Sequence, residues 1–250
     1  MKLLVIVLCL LSERFLIHNS SYTRFHWFGD YCNTITKKLA KLPFLDNPWG
    51  VLVMIIAPLL IFAAVVLHLF ASLLFGFILL LLHLVLFHYC LGPDNPFYPM
   101  RSVVNDEDTQ EDVGTYLAQV NGQLFAVIFW YIALGPMAIL AYRLVSLCQK
   151  QAEVQQEAVG LTGVLDWIPA KMTALLYLLA GNFQAGFRHF SRMFFTTPDN
   201  NQAMLSECGL QAVGYDEPRE VFMPQAEILV EHAVIVLLVL LAFFTMAAWL

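Results

Sequence analysis

The chain has 250 residues, of which 60% are hydrophobic and 13% charged, with a formal net charge of −6. A soluble domain carries roughly 25% charged residues, so this composition, with a mean hydropathy of +0.70, excludes an ordinary soluble globule and points to an all-α, polytopic integral membrane protein. The acidic balance and the lack of any basic stripe interleaved with aromatics exclude a nucleic-acid partner.

The N-terminus, MKLLVIVLCLLSERF, has the Lys2 and short apolar core of a signal peptide. It lacks a small-x-small cleavage site, and Glu13-Arg14 follow at once, so it reads as an uncleaved first membrane helix over about 2–17. From Asn47 to Pro93 there is no Asp, Glu, Lys or Arg. A spanning helix takes about 20 apolar residues, so this interval holds two, at about 49–69 and 72–91, joined near His68–Ser72 as an antiparallel hairpin. A fourth span is expected over about 123–147, a fifth over 164–181 and a last over 230–249, with Trp249 as an interface anchor. Pro58 in the second and Gly135-Pro136 in the fourth should bend or break their helices, because proline removes a backbone donor and crowds the preceding turn.

The fifth segment, VLDWIPAKMTALLYLLAG, is the least regular. Asp166 suits a helix N-cap and Pro169 then falls in the first turn. A helix over Trp167–Ala180 would be about 21 Å long, short of the roughly 30 Å hydrocarbon core. The segment is therefore expected to cross with help from its neighbours, to re-enter, or to lie along the interface. Charge favours crossing. With six spans and the N-terminus outside, Arg24, Lys37, Lys38, Lys41, Arg101, Arg188, Arg192 and Arg219 share one side, against Lys2 and Lys150 on the other. That is the cytoplasmic bias of membrane proteins, and it vanishes with five spans, the alternative. The chain is thus expected to form one membrane domain over 1–250, with polar loops at about 18–48, 92–122, 148–163 and 182–229. The run NDEDTQED (Asn105–Asp112) reads as a solvated acidic loop, lacking the glycine and terminal Glu of a calcium loop.

No phosphate-binding loop, H-E-x-x-H, G-x-S-x-G or dinucleotide fingerprint occurs. No cofactor is expected. The five cysteines are scattered without a C-x-x-C, a poor disulfide or zinc framework. His83 and His88 are five apart, about 140° around a helix, so with His68 they make a poor metal set. The ionisable side chains at membrane depth are more informative: Glu13 and Arg14 at the end of the first span, Arg143 beside Tyr142 in the fourth, Asp166 and Lys171 in the fifth. A charge isolated there costs at least ~2.5 kcal/mol, so these groups are candidates for an interior polar network or ligand site, with Arg143 or Arg14 meeting Asp166. Several of them snorkelling to the surface is the alternative. In FRHFSRMFF (Phe187–Phe195), Arg188 and Arg192 lie one turn apart among aromatics, which fits an interfacial amphipathic helix or an anion site.

The runs FWYIALGPMAILAYRL (Phe129–Leu144) and LDWIPAKMTALLYLLAGNFQAGF (Leu165–Phe187) resemble the AmpE family, as do the opening LLVIVLCLLSERF and HWFGD (His26–Asp30). The resemblance implies a bacterial inner-membrane regulatory protein linked to β-lactamase induction. It also implies functional coupling to the muropeptide amidase AmpD or to muropeptide ligands. Over about 124–181 the chain is also distantly similar to the CobD and CbiB membrane enzymes of cobalamin synthesis. That similarity implies, as the alternative, a membrane-bound amide ligase. The pattern departs at two places. Lys171 stands where that family has Arg, and the interval AQVNGQ (Ala118–Gln123) has no acid where the enzymes place an acidic cluster.

Overall fold

A computed structural model describes residues 2–15, 25–39, 47–70, 77–92, 97, 110–214 and 221–247. Arg24, Lys41, Arg101, Arg219, Asp106, Glu107, Asp108, the joint at Ala71–Ser72 and Trp249 lie outside the described residues. Every described element is helical. The first apolar segment forms α1 (Lys2–Phe15) and the polar stretch beyond it carries α2 (His26–Leu39). The uncharged interval folds as α3 (Pro48–Phe70), continuous through Pro58, and α4 (Phe77–Cys90). Helix α5 (Gln110–Val120) widens into a π turn at Asn121–Phe125 and continues as α6 (Ala126–Leu134).

The break expected at Gly135-Pro136 is present. Gly135 has φ of 90°, a backbone that suits glycine alone. Pro136 then opens α7 (Pro136–Cys148) at a position where its missing N–H costs nothing.

The expected start of the fifth segment is overturned. Helix α8 runs from Gln155 to Ala180, so Asp166 lies in its interior and is no N-cap, and Pro169 falls mid-helix. The physical reason is local. Six of the eleven residues Gln155–Leu165 are glutamine, glutamate, alanine or leucine, which favour helix, and the Thr162 hydroxyl is accommodated by donating to the Ala158 carbonyl at 2.7 Å. Polarity before Asp166 therefore does not interrupt the backbone ladder. At 26 residues the helix is about 39 Å long, enough to span a bilayer. Two helices then occupy the next polar stretch, α9 (Phe183–Met193) and α10 (Asn201–Val213), before α11 (Met223–Ala247).

Four helical stretches are long and apolar enough to cross a membrane: Pro48–Phe70, Gln110–Leu134, Gln155–Ala180 and Met223–Ala247. Phe77–Cys90 and Pro136–Cys148 are shorter and also apolar.

The chain forms two compact units. The first comprises Met1–Pro93 and Val127–Leu165. In it α1 packs on α4, and α7 packs on both α3 and α4. Its core joins Phe28 and Cys32 of α2 to Ile55 of α3 and Leu144 and Cys148 of α7. The outer surface of α3 exposes Val53, Ile61, Phe62 and Leu69, a contiguous apolar surface that needs lipid to cover it.

The second unit comprises Asp94–Ala126 and Asp166–Leu250. Here α10 packs against α5, α9 and α11. Gly181, just past the end of α8, lets the backbone approach α10: a side chain there would strike the Ala212 carbonyl. That carbonyl accepts from the Asn182 N–H at 2.8 Å.

Candidate functional site

Each unit holds a polar centre of its own. In the first, the last turn of α4 is held from two sides. Glu13, fully buried on α1, places its carboxylate 3.4 Å from Nδ1 of His88. Arg143, buried on α7, donates from Nε to the Cys90 carbonyl at 2.7 Å. Cys90 is the last residue of α4, and such terminal carbonyls have no partner within their own helix. A guanidinium satisfies the orphan acceptor and complements the negative helix end. Lys2 does the same for α6, donating to the Ile132 carbonyl at 2.8 Å just before the Gly135 break. Tyr142 is buried beside Arg143, whose guanidinium carbon lies 5.9 Å from its ring centroid. Arg14 is half-buried in the last turn of α1.

The histidines do not converge. His83 is 3.1 Å from the Tyr131 hydroxyl, while His88 meets Glu13. This is the divergence that a five-residue spacing on a helix dictates. Among the described residues no group of three or more His, Cys, Asp or Glu could hold a metal ion.

In the second unit the centre forms where α8 meets the π turn. Thr173, fully buried, donates to Asn121 Oδ1 at 2.8 Å. One turn later Tyr177 donates to the Leu117 carbonyl at 2.9 Å. Buried amides and hydroxyls are costly unless paired, so these bonds fix the register of α8 on the α5–π segment. A π turn is an uncommon backbone state that occurs frequently at functional sites. Asp166, half-buried, falls on the same helical face as Ala170, Thr173 and Tyr177.

Lys171 lies on an adjacent face and is buried. Its side chain runs back toward the helix N-terminus, the direction helical side chains favour. Nζ donates to the Trp167 carbonyl at 3.2 Å and stands 3.9 Å from the Trp167 ring centroid, with the Phe194 ring at 6.0 Å. Trp167 is held in turn by Nε1 donating to the Thr196 carbonyl at 3.0 Å. Among the described residues no carboxylate forms an ion pair with Lys171.

The predicted polar residues therefore divide. Glu13, Arg14, Tyr142 and Arg143 belong to the first unit, and Asp166, Lys171, Arg188 and Arg192 to the second. Both arginines of α9 are exposed. Sequence reasoning missed the Asn121–Thr173 bond. Its only trace was the polar interval Asn121–Gln123 inside an apolar helix.

These features define an all-α, multi-pass membrane protein with buried polar centres. Among curated proteins the chain is similar to the cobalamin biosynthesis protein CobD of Chromobacterium violaceum, at 28% identity over 99 residues. The match covers 36% of this chain and only 32% of that protein. No family model matches the chain, and no solved structure does.

Proposed function

We propose that this chain is a regulatory protein of the bacterial inner membrane, of the AmpE type. In this reading it binds an anionic small molecule in its second unit and so links cell-wall breakdown to β-lactamase induction. The observation that carries the proposal is Lys171. A buried cation with an aromatic wall and no described carboxylate partner is a ready counter-charge for an anionic ligand, because a buried charge is favourable only when neutralised. Trp167, pinned to Thr196, would pre-organise the wall. Asp166 would set polarity on the neighbouring face. Muropeptides carry carboxylates and fit this chemistry. Coupling to the amidase AmpD would then act through ligand supply.

A second reading is a membrane-bound amide ligase of the cobinamide-synthase type, favoured by the partial likeness to CobD. Two features weigh against it. No acid is present in Ala118–Gln123, and Asn121 there is bonded to Thr173.

The test is deletion of the gene in its own host, with β-lactam-induced β-lactamase as readout. Complementation would use wild type, Lys171→Gln and Asp166→Ala, with membrane levels checked. Altered induction is expected on deletion, with failed rescue by Lys171→Gln at normal protein level. Unchanged induction on deletion overturns the regulatory reading, and rescue of a cobinamide-synthase mutant would establish the second reading instead.

A further inference from the structure

Helix α9 has three kinds of surface. Asn182 caps its start, its side chain accepting from the Ala185 N–H at 3.3 Å. Phe183, Phe187, Phe190 and Phe194 recur at spacings of four, three and four, which places them on one stripe. Their rings form a ladder with successive centroids 5.0, 6.4 and 5.4 Å apart, and Phe195 extends it at 5.0 Å. Gly186 and Phe190 are buried against the unit, whereas Phe183 and Phe187 are exposed and Phe195 is 87% exposed. Arg188 and Arg192 lie across the helix from this stripe, both exposed. The one described carboxylate paired to α9, Glu207, is 3.6 Å from His189 and belongs to neither arginine.

The aromatic stripe is not isolated. Helix α9 runs back beside α8: Gly186 abuts Leu178, and the chain beyond α9 reaches Trp167 through Thr196. On α8, Ile168, Met172, Leu175 and Leu179 form a second exposed apolar stripe at helical spacing. An exposed aromatic face with two exposed arginines on the opposite side of the same helix matches the layering of an interfacial element. Rings enter the acyl boundary and cations meet the headgroups. Arginine is the side chain suited to phosphate, through its planar fork of donors.

We infer that α9 is a lipid-reading element of the second unit. Its exposed phenylalanines insert at the membrane interface while Arg188 and Arg192 bind the phosphates of anionic phospholipids. The inference turns on Arg188 and Arg192, which the ligand reading at Lys171 does not use, so the two can fail separately although Phe194 and the Trp167–Thr196 bond border both.

The test uses the full-length protein in nanodiscs of phosphatidylcholine alone or of phosphatidylcholine mixed with phosphatidylglycerol. Hydrogen exchange of the peptide covering 183–195 is followed. Exchange is expected to slow in the anionic discs by up to about thirtyfold, the scale of two basic side chains at an anionic surface. The gain should shrink with added salt. Arg188→Gln/Arg192→Gln should abolish the difference between the two lipids while leaving helix content unchanged, as both side chains are exposed. Wild-type exchange that ignores lipid composition overturns the inference. So does equal protection from inorganic phosphate in phosphatidylcholine discs, which would mean a soluble-anion site, and so does protection that tracks the number of protein copies per disc, which would mean a contact between chains.

Discussion

Glu13 and His88 meet inside the first unit, carboxylate oxygen to Nδ1 at 3.4 Å, with Glu13 fully buried and the histidine side chain 26% exposed. The pair joins the last turns of α1 and α4. Its two members differ in exposure, so they are expected to differ in mutational cost. His88→Leu takes the imidazole away from a buried carboxylate and should destabilise the protein by roughly 2–4 kcal/mol. Glu13→Gln leaves a neutral amide able to bond the imidazole and should cost about half as much. Denaturant unfolding of the detergent-solubilised variants decides this, and a reversed ranking would refute the pairing.

Arg143 serves as a terminal cap for α4 through its bond to the Cys90 carbonyl. Arg143→Ala should therefore lower membrane abundance, because an unsatisfied buried carbonyl costs about 1–3 kcal/mol. Arg143→Lys should recover part of the loss. Immunoblots of membrane fractions suffice. Normal abundance of the alanine variant together with altered induction would make Arg143 a ligand residue instead.

Gly181 and Gly160 make a contrasting pair. A β-carbon at Gly181 would strike the Ala212 backbone carbonyl, whereas one at Gly160 meets nothing within 4 Å. Gly181→Ala should destabilise by about 1–3 kcal/mol. Gly160→Ala, in the interior of α8, should stabilise by roughly 0.5–1 kcal/mol through helix propensity. Thermal melts in one detergent would resolve both, and equal melting temperatures would count against the packing described.

Cys208, buried on α10, has its thiol pKa raised from 9.0 to about 12, first by burial and then by the Glu207 carboxylate. The folded state thus holds this proton more tightly than the unfolded chain. The sign follows by linkage: the contribution to stability is intact below pH about 9 and is lost as the pH rises toward 12. Thiolate, the reactive form, is scarce at pH 8. Maleimide should label Cys208 at least a hundredfold more slowly than the denatured chain. Fast labelling under native conditions would show that α10 opens readily.

Much of the architecture was legible in the chain because membrane helices are written by hydrophobic length, which needs no tertiary information. Phe77–Cys90 falls within the uncharged run, and Gly135-Pro136 carries its own backbone constraint. Residue pairings were less accessible. The helical angle between His83 and His88 excluded a shared site, yet nothing in the spacing says that Glu13 faces His88 across α1 and α4. Asp166 misled for a definite reason: an acid before a tryptophan and a proline has the local chemistry of a helix start. The backbone was already helical by then, and the N–H groups such a cap would serve were spent. The bond between Asn121, in the π turn, and Thr173 joins positions fifty-two apart, and a local pattern does not carry that match.

The two units are interleaved along the chain, with changeovers after Pro93, Ala126 and Leu165. No single truncation can therefore isolate either one from the other. A fragment ending at Leu165 contains all of the first unit and also a stranded piece of the second, including α5. A fragment starting at Asp166 keeps only the later part of α8 with α9, α10 and α11, and it lacks α5, against which α10 packs. The last two changeovers fall inside continuous helix, at the junction of the π turn with α6 and within α8. Folding of the second unit must then await synthesis well beyond Leu165, and an engineered split of this protein would need both fragments co-expressed.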